Sequence, residues 1–301
     1  MTTIAFLGLG NMGLPMATNL VAAGYSVRGF DPSAAATQAG RRAGLTIADS
    51  ATAAVADAEV VITMLPSGRH VLDAYGSDTG IVRSVASGTL LIDCSTIDVG
   101  EARAAHQLAE AAGLDSIDAP VSGGTVGAQG ATLTFMVGGT DGAIGRAEPI
   151  LLAMGKRTVR CGEAGAGQAA KACNNLILAI SMIGVSEAFV LAESLGLDHQ
   201  ALYDVVSTSS GQCWANNVNC PVPGPVPTSP ANRDFAGGFA TTLMNKDLRL
   251  AAAAANQAGV DLPLGRHALD MYEALATTKP DRDFSIIIDA IRSRSGQRKG
   301  A

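Results

Sequence analysis

The sequence has neither a CxxC nor a CxxH spacing. Its five cysteines, Cys94, Cys161, Cys173, Cys213 and Cys220, are odd in number and scattered. Neither a disulfide framework nor a zinc site is indicated, and reduced thiols in a cytosolic compartment fit best. Charge is also scarce: 16% of residues are charged against 48% hydrophobic, with a mean hydropathy of +0.25. That composition excludes a disordered chain and points to closely packed, Ala-rich helix. No cluster of Lys and Arg offsets the net charge of −6, so nucleic acid is not an expected partner. The basic stretch RSRSGQRKG that begins at Arg292 is short and terminal, and reads as solvated chain. MTTIAFLGLG shows no basic leader or cleavage site, so no targeting segment is expected and the location reads as cytoplasmic. The most apolar run, Leu176 to Val185, is followed by Glu187 and Glu193 before the roughly 18 residues a membrane span needs. It reads as a buried helix, and no membrane partner is expected. No internal repeat is present.

What is there is alternation. At 301 residues the chain exceeds the usual size of one hydrophobic core, so two domains are expected. TIAFL at 3–7, YSVRGF at 25–30, EVVITML at 59–65, TLLIDCS at 89–95, DSIDAPV at 115–121 and LTFMVGG at 133–139 read as strands separated by helical stretches, the first over 12–23 with Gly24 to cap it. This predicts an α/β domain over residues 1–164, a mostly parallel sheet of Rossmann type with helices on both faces. From Gly165 onward helical periodicity dominates, predicting an all-helical domain over 165–301 that opens with a long helix over about 168–195. That helix is apolar around most of its circumference, so burial on several sides is expected, which the first domain, neighbouring helices and a partner subunit could each supply. The Pro- and Gly-rich stretch 220–239 cannot be regular helix or strand; it reads either as a linker or as an ordered loop beside a site.

Four stretches carry chemistry. GLGNMG (Gly8, Leu9, Gly10, Asn11, Met12, Gly13) follows a strand and opens a helix, the setting in which G-x-G-x-x-G binds a dinucleotide. Gly8 permits the turn, Gly10 admits the pyrophosphate, Gly13 lets helix pack on strand, and the helix N-terminus favours the phosphates. Asp31, closing the next strand, can accept from both adenosine ribose hydroxyls and would repel a 2′-phosphate, favouring NAD over NADP; it can also be a turn residue before Pro32. Met64, Leu65, Pro66 and His70, in MLPSGRH, and Thr96, in DCSTID, fall at the carboxyl edge of the sheet where ligands lie. His70 reads as a loop residue near the cofactor; Thr96 can contact the nicotinamide half, or Ser95 or Thr96 can simply cap the helix near Val99. APVSGG at 119–124 offers backbone N–H groups and the Ser122 hydroxyl as a carboxylate cradle, or is a turn needing glycine for conformation alone.

In GAGQAAKACNN, Gly167, Lys171 and Asn175 recur every four residues, on one helical face. A lysine on a helix is usually a solvated surface residue. If this face looks toward the nicotinamide, Lys171 meets a substrate hydroxyl, Asn175 holds its geometry and Gly167 leaves room. A partly desolvated lysine beside that ring is expected to have its pKa lowered from about 10.4, which suits general acid/base transfer.

With GLGNMGLPMATNL, DAPVSGG, GAGQAAKACNN and FATTLMNKDLRLA in this order, the chain resembles the β-hydroxyacid dehydrogenase family from end to end. SSGQCWANNVNCPVPG and ANRDFAGGF resemble its branch acting on 3-hydroxyisobutyrate. The resemblance implies a Rossmann-type domain, a long interdomain helix, a helical C-terminal domain making subunit contacts in a homodimer or homotetramer, and NAD-dependent oxidation of 3-hydroxyisobutyrate to methylmalonate semialdehyde in valine breakdown. It implies Lys171 as acid/base, Asn175 orienting substrate, Ser122, Gly123 and Gly124 binding its carboxylate, and Lys246 and Phe239 completing the pocket, Lys246 also beside the cofactor. The related 6-phosphogluconate dehydrogenases carry K-x-x-H-N-x-x-E where this helix has Lys171, Asn174, Asn175 and Leu178. No second acid is evident to protonate an enediol, so simple alcohol oxidation fits better. Serine, 3-hydroxypropionate, tartronate semialdehyde and succinic semialdehyde remain alternative substrates, and a non-catalytic dinucleotide-binding module is the reading from another class.

Overall fold

The structure is a computed structural model that describes residues 1–296. Residues 297–301 of the basic tail lie outside the described residues. Contacts divide the chain into two compact units that meet inside one helix, 1–171 and 172 onward.

In the first unit the strands are β1 (Thr3–Leu7), β2 (Ser26–Phe30), β3 (Thr46–Ile47), β4 (Val60–Thr63), β5 (Leu90–Asp93), β6 (Asp115–Asp118), β7 (Val121–Ser122), β8 (Leu133–Gly139) and β9 (Gly155–Gly162). The helices between them are α1 (Gly13–Ala22), α2 (Ala34–Arg42), α3 (Ala51–Val55), α4 (Gly68–Gly76), α5 (Ile81–Ser84), α6 (Val99–Ala111), α7 (Gly124–Gln129) and α8 (Asp141–Met154). The sheet runs β3-β2-β1-β4-β5-β6-β8-β7, with β9 also on β8. The pairs from β3 to β6 are parallel. Strand alternation divides the core: Ile4 and Phe6 of β1 pack on one face with Ile62 and Ile92, whereas Ala5 and Leu7 pack on the other with Val61 and Leu91. Burial on both faces is what gives these strands their unbroken apolar runs.

The sheet departs from expectation at its far side. DSIDAPV is two strands, not one, because Pro120 has no N–H to donate to a ladder. Both pieces pair antiparallel with β8. β9 pairs parallel with β8 and has no counterpart among the expected strands. Its sequence GKRTVRCG is half exposed and charged, so it lacks the apolar signal by which the other strands are legible. β3, two residues long, is too short to show a period.

α9 (Ala166–Ser194) follows, then α10 (His199–Thr208), α11 (Trp214–Asn217), α12 (Thr241–Ala258), α13 (Pro263–Thr278) and α14 (Ile287–Arg294). By length and composition α9 is apolar enough to cross a membrane, contrary to the expectation that Glu187 and Glu193 end the run too early; its flanking residues are apolar enough to carry two charges. Under half of that window is buried. Phe189 and Met182 face the helical core, whereas Ile177 and Leu191 are exposed. In this unit α9, α12 and α13 enclose a core around Met244, Leu248, Tyr272 and Phe284.

Residues 220–239 are an ordered part of the second unit, not a linker. The Ser229 hydroxyl donates to Cys220 O at 2.5 Å, and Asn232 donates to Val226 O at 2.8 Å while accepting from Gly224 N at 2.9 Å. The basic tail is corrected in part as well: Arg292 and Arg294 end α14, and Arg292 pairs with Glu193 and with Asp289. Burial opposes the charge on Glu193, yet bonds from Arg292 and His199 hold its carboxyl below the usual range.

Candidate active site

The glycine fingerprint is packed as a strand-to-helix turn. A Cβ on Gly8 would lie 2.3 Å from Met64 O, and one on Gly13 would lie 1.9 Å from Gly8 O and 3.0 Å from the Phe6 ring. Both positions therefore exclude any side chain, and that exclusion brings the first turn of α1 against β1. Gly10 is different, since a Cβ there meets no atom within 4 Å and the backbone is open on that side. α1 has Met12 at its N-cap, no side chain capping its first N–H groups and no acid in its first turn. An open glycine below uncapped helix donors suits a pyrophosphate.

Asp31 is half-buried at the end of β2. Its Oδ2 accepts from Leu9 N at 2.8 Å and its Oδ1 from Ser33 N at 2.8 Å. The two bonds orient the carboxylate over the glycine turn and leave further lone pairs for ribose hydroxyls. The Arg28 guanidinium is turned to Ala53 O at 3.2 Å and Asp57 at 3.7 Å.

Met64 and Leu65 are half-buried after β4, and Pro66 is exposed. Leu65 N donates to the Ser95 hydroxyl at 2.8 Å. His70 is not on a loop: it lies in the first turn of α4, exposed, with Nδ1 2.8 Å from the Ser67 hydroxyl. Thr96 is half-buried. Neither Ser95 nor Thr96 caps α6; Asp98 does, in a reciprocal capping box with Glu101, because a carboxylate at that position reaches the Gly100 N–H at 2.7 Å.

Ser122 sits at the end of β7, paired with Thr134. Gly123 has φ +137° and Gly124 φ +61°, so the turn needs glycine on conformational grounds. A side chain at Gly124 would point into open space, and the turn stays exposed, as a carboxylate cradle must.

Lys171 is 8% exposed and Asn175 2%, so neither is a solvated surface residue. Gly167 does not leave room for substrate. A Cβ there would lie 2.3 Å from Met136 O and 2.8 Å from both Asp118 O and Asp118 Oδ2; its missing side chain makes way for β6 and β8. In the second unit the Asn175 amide donates to Asp247 Oδ2, and Asn175 Oδ1 accepts from Asn174 at 2.8 Å. Phe239 is half-buried, its N–H donating to Asp283 Oδ2 at 2.7 Å and its ring edge-on to Phe284. Lys246 is half-buried on α12.

Sequence reasoning passes over four buried polar residues: Asp93, Asp118, Gln168 and Asp247. All four lie inside the motif-bearing stretches, so a polar residue next to a motif position is the signal that could have found them. Gln168 donates to Ser95 O at 2.7 Å and accepts from Ile97 N at 3.1 Å. Asp93 Oδ1 accepts from Thr63, Ser95 N and the Ser95 hydroxyl, while its Oδ2 is buried without a partner. Burial pushes the Asp93 carboxyl up to about 6 against those bonds, and burial together with the Asp93 charge pushes the Tyr75 hydroxyl up.

A parallel sheet with a glycine turn, an oriented carboxylate after the second strand and a buried lysine at the head of a long helix defines an NAD-binding oxidoreductase. Residues 3–162 match the family model of the NAD binding domain of 6-phosphogluconate dehydrogenase. Residues 165–291 match that of the NAD-binding domain of NADP-dependent 3-hydroxyisobutyrate dehydrogenase. A probable 3-hydroxyisobutyrate dehydrogenase of Mycobacterium tuberculosis is 54% identical over 98% of this chain and 99% of its own length. An NAD-dependent L-serine dehydrogenase of Pseudomonas aeruginosa is 46% identical over 99% of this chain and all of its own. A solved structure of the Mycobacterium tuberculosis 3-hydroxyisobutyrate dehydrogenase with L-serine superposes with a TM-score of 0.94, at 54% identity over 97% of this chain and 99% of that one. The chain belongs to the β-hydroxyacid dehydrogenase family.

Proposed function

We propose that this enzyme oxidises 3-hydroxyisobutyrate to methylmalonate semialdehyde with NAD, in valine breakdown, and that Lys171 is its general acid/base. The observation that carries the reading is the burial of Lys171 on the first turns of α9, where a lysine with only a surface role has no reason to be. Residues 1–164 would form the NAD-binding domain and 165–301 the helical one.

The nicotinamide supplies the acceptor for the hydride leaving the substrate carbon. The remaining work belongs to the chain. Ser122, Gly123 and Gly124 hold the substrate carboxylate, and neutral Lys171 takes the hydroxyl proton to its amine as the carbonyl forms. Asn175, fixed by Asp247 and Asn174, is assigned its remaining donor for the substrate oxygen, and Lys246 and Phe239 are assigned further substrate contacts. Holding carbon and acceptor at near-attack distance is worth several kcal/mol, up to roughly 7–11 in intramolecular reactions. The dinucleotide contacts are assigned to residues 8–13, Asp31, Met64, Leu65, Pro66, His70, Thr96 and Lys246. NAD is favoured over NADP because Asp31 occupies the ribose edge and Arg28 is engaged by Ala53 and Asp57.

L-serine is the second reading, favoured by a relative named for that activity and by the similar solved structure of the Mycobacterium tuberculosis enzyme with L-serine. A pocket distinguishes such substrates by only about 1–3 kcal/mol per methylene. Specificity constants for 3-hydroxyisobutyrate, L-serine and 3-hydroxypropionate, each with NAD and NADP, decide the matter. A tenfold preference for L-serine would overturn the substrate and leave Lys171 in place. NAD binding without NADH formation from any of them would favour a non-catalytic module.

Self-association, as a homodimer or homotetramer, is part of this proposal. Ile177, Leu191 and Leu195, exposed by 65%, 59% and 74%, lie along one side of α9 and the residue after it, with exposed Gly184 between. Light scattering on the purified protein tests it, and a monomer at working concentration refutes it. Five free cysteines support a cytoplasmic location.

A further inference from the structure

The geometry points to Asp118 as the positioning residue that sets Lys171 against the Ser122–Gly124 turn. The inference rests on the acid/base role proposed for Lys171. Asp118 ends β6 and is 1% exposed. Its two oxygens are spent on the start of α9: Oδ1 accepts from Gly165 N at 2.8 Å and Oδ2 from Gln168 N at 2.9 Å. A carboxylate from a distant strand thus serves as the N-terminal cap of the helix, satisfying orphan donors and meeting the positive end of the helix dipole.

The anchor is itself anchored. His106 Nε2 lies 3.1 Å from Asp118 Oδ1, and Ser116 Oγ lies 2.7 Å from His106 Nδ1. Two glycines make way for the carboxylate. A Cβ on Gly138 would lie 2.5 Å from Asp118 Oδ1 and 2.8 Å from Gly167 N, and one on Gly167 would lie 2.8 Å from Asp118 Oδ2. β6, β8 and α9 therefore approach one another closely around this carboxylate.

The consequence is positional. Four residues after Asp118 the same chain segment reaches Ser122, and three residues after Gln168 the helix reaches Lys171. One carboxylate joins the segment that bears the cradle to the turn that bears the base. Loosening this joint moves the amine relative to the bound carboxylate without touching either group. Because Ser122, Gly123 and Gly124 keep their own strand and turn, ground-state binding survives and the chemical step slows.

The test is steady-state kinetics of Asp118→Asn with amide hydrogen exchange across residues 163–172. Asparagine has one acceptor oxygen, so its NH2 must face one of the two backbone donors and that bond is lost. The expected result is a fall in kcat of about tenfold or more, with the hydroxy-acid KM and NAD affinity within about threefold and faster exchange at the start of α9. In a Lys171→Ala background the same substitution changes the residual rate little, since non-additivity is the signature of action through one group. Should the asparagine variant fail to fold, His106→Ala withdraws the side chain that lies 3.1 Å from Asp118 Oδ1, loosens the same joint and carries the same expectation. A kcat within twofold of wild type in either folded variant, or a rise in KM with kcat kept, overturns the assignment. Lys171→Ala with wild-type turnover instead overturns the function proposed above, so the two failures are distinguishable.

Discussion

Asn175 on α9 donates its side-chain amide to Asp247 on α12, and both residues are buried. The pair joins two helices of the second unit by a charge-assisted bond and commits one of the two amide hydrogens of Asn175. Replacing Asn175 by alanine removes a donor from a buried carboxylate, which costs about 1.5–3 kcal/mol. The expected outcome is a lowered midpoint of chemical denaturation together with a fall in kcat. Unchanged stability would show that Asp247 does not depend on this amide.

Lys171→Ala is expected to lower kcat by about 10²–10⁴, the usual worth of a positioned acid/base group, with NAD affinity unchanged within a few-fold. Equilibrium titration with NAD and single-turnover rates measure the two quantities separately. Turnover near that of wild type would remove Lys171 from the chemistry.

Asp31→Asn retains shape and loses charge. If the carboxylate selects NAD, the variant has a KM for NAD raised about tenfold, in keeping with a lost charged hydrogen bond, and a smaller ratio of NAD to NADP efficiency. An unaltered ratio would place cofactor choice elsewhere.

The Asp93 carboxyl titrates at about 6 in the fold against an ordinary 3.8, chiefly through burial. A raised acid binds more protons when folded, so between about pH 4 and pH 6 its contribution to stability falls as pH rises, and above pH 6 the full cost, on the order of 3 kcal/mol, is present. In Asp93→Asn the amide oxygen can keep the bonds from Thr63 and Ser95 and nothing titrates. Urea denaturation at pH 4.5 and pH 7 is expected to show a smaller loss of stability on going to pH 7 in the variant than in wild type. An equal loss in both would mean that burial does not raise the Asp93 carboxyl above its ordinary value.

Much of this architecture is written locally. The β1–α1–β2 unit, the glycine turn, Asp31 at the next strand end, the apolar runs of β4 and β5 and the long apolar α9 all follow from period, spacing and the conformations glycine permits. Each depends on residues within one or two elements of one another. β9 is not legible, since a charged, half-exposed edge strand carries no apolar alternation. The cap of α6 is misplaced by sequence because Ser95, Thr96 and Asp98 are all competent caps and only backbone geometry selects Asp98.

What the sequence could not disclose is how the buried polar residues are paired. Asp118 precedes Gln168 by 50 residues, and Asn175 precedes Asp247 by 72. No period or motif connects partners so far apart; burial makes their pairing obligatory, and the tertiary fold chooses the partner. Gly167 shows the same division: its spacing from Lys171 is plain in the chain, but only packing reveals that its absent side chain makes room for two strands of the sheet and not for a ligand. Local chemistry therefore fixed which groups the protein possesses, and long-range packing decided what each of them holds in place.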